Sequence, residues 1–309
     1  DQTAEGTEGV VVACSGSLGK SGYGVVTLAG RNTYSGGTTV TGGTLAGTAD
    51  SLQGDITSTG TVRLDQSSDG TYSGVMGGSG SLVKNGSGAV TLSGTNTYSG
   101  GTTVNNGTLA GTTDSLQGAI TNGGTVRFDQ SSDGIYGGAM SGSGSLEKSG
   151  SGTVTLSGTN TYSGGTSVNK GTLELSASLA NSAVTINNGG ILKGATSIDS
   201  LTINSGGRLA TDLSGSGFTV GDTTFNGGGI FEWTVNNVTG AQASNWAYLD
   251  SSGSLNLPLR LQIYLWWKPA PSAGAVLILK RRNTNGNLPA SMEGSRTSVA
   301  MPSRLMAAG

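Results

Sequence analysis

Two carboxylate pairs have the spacing of a cation loop. Asp65-Gln-Ser-Ser-Asp69-Gly70 recurs as Asp129-Gln-Ser-Ser-Asp133-Gly134. A calcium loop begins with such oxygen ligands and a turn glycine, and its twelfth position supplies a bidentate Glu. Here that position holds Met76 and Met140. The ligand set is incomplete, so Asp65, Asp69, Asp129 and Asp133 are weak calcium candidates. An Asx-type turn between strands accounts for them better. No metal or other cofactor is expected.

Covalent chemistry is equally poorly provided for. The chain has no histidine, which removes the base of a Ser-His-Asp triad and the commonest zinc ligand. Ser51 and Ser115 follow Asp50 and Asp114 in GTADSLQG and GTTDSLQG, but nothing beside them would take a proton. Enzymes that cleave polysaccharides need clustered carboxylates, or calcium with a basic residue, in one groove. No such cluster is visible, and the chain reads as non-enzymatic. Cys14 stands alone, so no intrachain disulfide forms.

Three aromatic and three basic residues recur at one interval. Tyr34, Tyr98 and Tyr162 each follow an Asn-Thr pair, at Asn32, Asn96 and Asn160. A structural role, with Asn closing a turn and Tyr covering it, is the favoured expectation; the alternative is an evenly spaced row of surface contacts for a glycan or host protein. Lys20, Lys84 and Lys148 have the same spacing and read as solvated charges, too far apart to form one basic patch.

That shared interval defines a 64-residue unit. The stretch Ser79–Leu109 returns at Ser143–Leu173 with 26 of 31 positions identical, and a more worn copy occupies Ser15–Leu45. Faithful repetition without insertion means one structural unit stacked along an axis. Residues 1–14 form a lead-in; 15–78 and 79–142 are full units; 143–175 begin a third; 176–257 carry diverged coils. Short modules recur throughout, such as Ile120-Thr-Asn-Gly-Gly-Thr-Val126, Ile186-Asn-Asn-Gly-Gly-Ile191 and Ile203-Asn-Ser-Gly-Gly-Arg-Leu209. Asn-Gly and Gly-Gly turn the chain between strand-forming residues. Val90-Thr-Leu92-Ser93 alternates inward and outward positions, and no helical period appears in 15–257. The expected fold is all-β: a right-handed, single-stranded parallel β-helix of roughly a dozen coils, each 64-residue unit making three coils of about 21 residues.

Composition fits a glycine-turned β-solenoid better than a disordered linker. There are 57 glycines among 309 residues, 11% charged residues and a net charge of −2. The near-neutral balance gives no footprint for nucleic acid. No stretch approaches the roughly 18 apolar residues of a membrane helix. The chain starts at Asp1 without a signal segment, so for a secreted protein the leader would have been removed or lie outside this sequence.

The string SGxNTYSGGTTVxxGTL, at Ser93–Leu109 and Ser157–Leu173, resembles the passenger-associated repeat of bacterial autotransporters. The preceding GxGSLxKxGxGxVTL, at Gly78–Leu92 and Gly142–Leu156, belongs to the same pattern. The first copy departs from it at Gly19, Tyr23 and Ala29-Gly30-Arg31. The resemblance covers about residues 15–257. It implies a passenger segment at the surface of, or secreted from, a Gram-negative cell, whose repeats assist passage across the outer membrane. Its implied partners are an outer-membrane β-barrel translocator, absent from this chain, and a host-surface ligand, since many family members are adhesins.

Residues 258–309 break the pattern. They hold all five prolines, seven of the 16 basic residues and one acid, Glu293. The expectation is a tail out of frame or truncated relative to a longer parent, with a basic tail docked on the last coil as the alternative. The run Leu261–Trp267 is too short to span a bilayer.

Overall fold

A computed structural model describes residues 6–8, 12, 15–194, 196–210, 217–235, 249–257 and 262–267. Every described regular element is a strand, and every strand pair is parallel. The chain winds as a three-sided solenoid of about 11 coils. Hydrogen bonds run between coils, because parallel strands in such a coil satisfy their backbone only with the coil before and the coil after.

One face stacks Val25–Leu28, Thr44–Gly47, Thr61–Asp65, Ser81–Asn85, Thr102–Val104, Ile120–Asn122 and Met140–Ser141, with Gly6–Glu8 at its start. A second carries Gly70–Tyr72, Ala89–Leu92, Thr108–Gly111, Thr125–Phe128, Ser145–Lys148 and Thr166–Val168. The third begins with Leu18–Lys20, Thr38–Val40, Ile56–Ser58 and Met76–Gly77. It continues through two irregular sides: Thr97 N donates to Met76 O at 2.8 Å and Asn96 N to Asp114 O at 3.0 Å. Gly134–Tyr136, Thr153–Leu156, Gly171–Leu175, Gly190–Gly194, Arg208–Ala210, Ile230–Val235 and Gln262–Trp267 then complete it.

From residue 179 the first two faces are joined by long bent strands, Leu179–Ile186, Ser197–Ile203 and Phe218–Phe225, with a register shift between Leu179 and Ala183. Gln262–Trp267 pairs along the whole of Ile230–Val235, so the start of the atypical tail adds to the stack. The reading-frame expectation for 258–309 otherwise lies outside the described residues.

Inward positions follow the predicted alternation. Val90 and Leu92 are buried while Thr91 between them is not, and Val154 and Leu156 repeat the pattern. Leu45, Leu109 and Leu173 sit at the same point of the three copies, each fully buried. A continuous apolar column results, to which each coil contributes inward Leu, Val or Ile.

The expected coil length is corrected by the register. Leu18 pairs with Thr38, Thr38 with Ile56 and Ile56 with Met76, so successive coils advance the numbering by 20, 18 and 20. Val25 pairs with Thr44 and Thr44 with Thr61, giving 19 and 17. The coil is shorter than expected because some corners are very tight: only Thr59 and Gly60 separate Ile56–Ser58 from Thr61–Asp65. A 64-residue copy therefore holds ten sides rather than nine, or three and one-third coils.

Removing an inward leucine leaves a void that rigid neighbouring coils fill poorly. Leu109→Ala is expected to cost about 3 kcal/mol. Thr57→Ala, at an exposed position, should stay within about 0.5 kcal/mol. Denaturant unfolding followed by circular dichroism reads both.

Candidate functional site

The recurring polar residues of each copy form a seam that stitches one coil to the next. Lys84, at the end of Ser81–Asn85, turns inward and is fully buried. Its ammonium donates to Asn85 O at 2.7 Å, Gly86 O at 2.8 Å and Asn106 O at 3.1 Å. Lys20 does the same to Ser21 O, Gly22 O and Gly42 O at 2.8, 2.8 and 3.0 Å. Lys148 donates to Gly150 O and, at 3.0 Å, to Lys170 O. The expectation of solvated lysines is overturned. The corner turns carbonyls inward, and the three ammonium protons satisfy them; that of Asn85 also accepts Gln66 N at 3.1 Å. Burial holds the Lys84 ammonium below its usual range and brings that of Lys148 down to about 8.

The glycine of the following coil leaves room for this cap. Gly107 has φ of 68°, and a methyl there would sit 2.5 Å from Gly86 O and 2.9 Å from Lys84 Nζ. A side chain is excluded both by backbone conformation and by space.

The asparagines are coil-to-coil bridges. Asn32 Oδ1 accepts from Val12 N at 2.8 Å while its Nδ2 donates to Ser51 O at 2.7 Å. Asn96 repeats this between Met76 N and Ser115 O, at 2.7 Å each. Asn160 keeps the position, but its Nδ2 turns to Gly158 O.

Tyr34, Tyr98 and Tyr162 are core residues, 2%, 4% and 1% exposed. This corrects the surface-contact expectation. The Asn-Thr-Tyr side carries the ring inward, where burying an aromatic is worth far more than exposing it. Each hydroxyl meets a threonine four residues on, Thr38, Thr102 or Thr166, at 3.0, 2.8 and 2.7 Å. Tyr34 and Tyr98 also accept the backbone N–H of Gln53 and Gln117 on the next coil.

The aspartates of the candidate cation loops are mostly engaged by the chain itself. Asp69 Oδ1 accepts Ala89 N at 2.8 Å, and Asp133 Oδ1 accepts Thr153 N at 2.7 Å, each from the succeeding coil. Those Thr153 donors hold the Asp133 carboxyl below the usual range. Asp65 pairs with Arg63 at 2.9 Å and accepts Asn85 Nδ2 at 3.0 Å. Asp129 stays exposed beside Phe128. Among the described residues no three His, Cys, Asp or Glu side chains gather as a metal site. Ser51 and Ser115 are buried, their hydroxyls held on Thr48 and Thr112, so neither faces a substrate.

Sequence reasoning missed two features. Gln66 and Gln130 are buried inside the Asp-Gln-Ser-Ser-Asp turns and accept Ala49 N and Thr113 N at 2.9 and 2.8 Å. A ladder also joins consecutive coils: Asn169 Nδ2 donates to Glu147 Oε1 at 2.8 Å, Asn187 to Asn169 Oδ1 and Asn204 to Asn187 Oδ1 at 2.7 Å, and Asn226 to Asn204 Oδ1 at 2.6 Å. The signal was the Asn recurring just after an inward apolar residue in the glycine-turn modules.

Two outcomes test the seam. Lys84→Met strands the inward carbonyls of Gly86 and Asn106, while that of Asn85 keeps Gln66 N, and the lost bonds outweigh the relieved desolvation, so stability should fall by about 3 kcal/mol. The buried phenols supply a pH test. Burial raises those of Tyr72, Tyr98 and Tyr136 and pushes that of Tyr162 up to about 12. The folded state keeps these protons above pH ~10, where the unfolded chain loses them, so stability is intact below pH ~10 and falls as pH rises further. Phenolate absorbance should therefore appear cooperatively with loss of strand signal, not as a gradual titration ahead of it.

The chain is similar to known proteins in the region that forms this seam. The family model described as Passenger-associated-transport-repeat matches residues 18–46, 82–110 and 146–175. An alignment over 235 positions, covering 66% of the chain, is 34% identical to the Adhesin BmaC autotransporter of Brucella suis biovar 1 (strain 1330). The chain spans 6% of that relative's length. With three matched repeats, each containing its own lysine cap and Asn-Thr-Tyr side within one continuous solenoid, the chain is similar to the repeat-bearing passenger segments of autotransporters.

Proposed function

We propose that this segment is a non-catalytic rod within an autotransporter passenger, and that stacking of its coils assists export and display. It stands at the Gram-negative cell surface or is secreted from it. The translocation partner is the outer-membrane β-barrel of the full-length parent.

The carrying observation is how local the pairing is. Strands within the repeats pair with those one coil away in the chain, as in Thr44–Thr61 and Ser81–Thr61. A chain crossing a pore in extended form completes a coil as soon as one more side and its corner are outside. The exposed strand edges of the last coil then bind the incoming one. Each addition buries apolar side chains and satisfies inward carbonyls, which disfavours sliding back. No helix among the described residues is long and apolar enough to cross a membrane.

A second reading rests on the name of the Brucella relative, an adhesin. In that reading the rod's lateral faces bind a host matrix protein or glycan. A shallow cleft lined by Arg31, Asp50, Gln53, Thr71 and Ser73 is one place where polar groups converge.

Export is tested by spoiling one coil in the full-length parent. Val90→Asp puts a charge at a fully buried position and should lower the surface-displayed fraction at equal expression, read by antibody and external protease. Unchanged display would argue against stacking as an aid to export. Binding of the purified segment to matrix proteins or glycans tests the adhesin reading.

A further inference from the structure

We infer that each 64-residue copy is an indexing element: it turns everything after it about the rod axis by one face, a third of a revolution. The register carries this. Leu18, Leu82 and Leu146 are the same residue of successive copies, yet they lie in the four-stranded, eight-stranded and eleven-stranded sheets. Val25, Ala89 and Thr153, which open the next strand of each copy, are likewise distributed over three sheets. Ten sides on a three-sided coil leave a remainder of one side, so sequence equivalence and position around the axis cannot coincide.

The junctions between copies are interchangeable. Ser81 pairs with Thr61 and Ser145 with Thr125, in the same register. The facing hydroxyls are 3.2 Å apart in the first pair and 3.0 Å in the second. Lys84 sits beside Leu64, and Lys148 beside Phe128. A copy meets its predecessor in the same register whichever copy that is, with Leu64 standing where Phe128 does, so one can be removed while the junction pairing is rebuilt. What changes is direction.

Two consequences follow for recognition. Copies show the same side chains on three sides of the rod, so a ligand lying along one face meets the same patch only after three copies, ten coils or about 48 Å on. The copy number also aims the diverged coils. Their outward row of Ser167, Thr185, Thr202 and Thr224, beside the asparagine ladder, faces a direction fixed by how many units precede it.

Deleting residues 79–142 tests this. In a Cys14→Ser chain, nitroxide labels are placed on Lys193→Cys with either Thr57→Cys or Thr71→Cys. Long distances are read by pulsed electron resonance and short ones by dipolar line broadening. In the intact chain Thr57 and Lys193 share a face seven coils apart, and both label pairs are expected at about 35 Å. In the deletion Lys193 moves onto the face of Thr71, three coils away. The Thr71 pair should fall to about 14 Å, while the Thr57 pair stays clearly longer. A Thr57 pair that becomes the shorter one would overturn indexing. So would loss of strand signal in the deletion variant, since interchangeable junctions require it to fold.

Discussion

The backbone of each coil has partners almost only in the coils above and below it, and this requirement governs the rest of the molecule. A short side forms too few bonds to be stable alone. Repeated over about 11 coils, the same bonds become a continuous ladder around a continuous apolar column. The corners are where the ladder fails, because the chain turns and its carbonyls point inward. The recurring polar residues are gathered there: the lysine cap of all three copies, and the asparagine bridge and buried glutamine of the two full ones. They are polar groups of the interior, and their repetition reflects the repetition of corners.

Much of this was legible in the sequence, and the failures have one origin. Strand alternation, parallel stacking and the passenger resemblance were readable because a half-buried strand needs period two and a turn needs glycine or asparagine. Val90-Thr-Leu92 and the glycine-turn modules carried that signal directly. Reading lysine as solvated applied an average preference where a corner had inverted it. A sequence shows that Lys84 recurs; it does not show three inward carbonyls within its reach. The asparagine ladder is hidden by the repeat, because the asparagines that stand out are one copy apart, whereas ladder partners are one coil apart, as Asn187 and Asn204 are.

The same distinction between copy and coil explains the error in coil length. Dividing the repeat by three assumes that a copy ends on the face where it began. The observed pairings, such as Leu18 with Thr38 and Thr44 with Thr61, make the coil too short for that. A unit of three and one-third coils lets duplication of a DNA segment lengthen the rod without disturbing the junction pairing. It also spreads identical surfaces around the axis, so charges such as Asp69 and Asp133 do not accumulate in one line.

The central claim is the coil-to-coil register, and backbone scalar couplings through hydrogen bonds measure it directly. Nitrogen of Ser81 should couple to the carbonyl carbon of Gly60, Leu82 to Gly101 and Thr161 to Met140, all in parallel pairings. Couplings that place Ser81 opposite its counterpart in the next copy, Ser145, or antiparallel contacts between neighbouring strands, would contradict the solenoid described here.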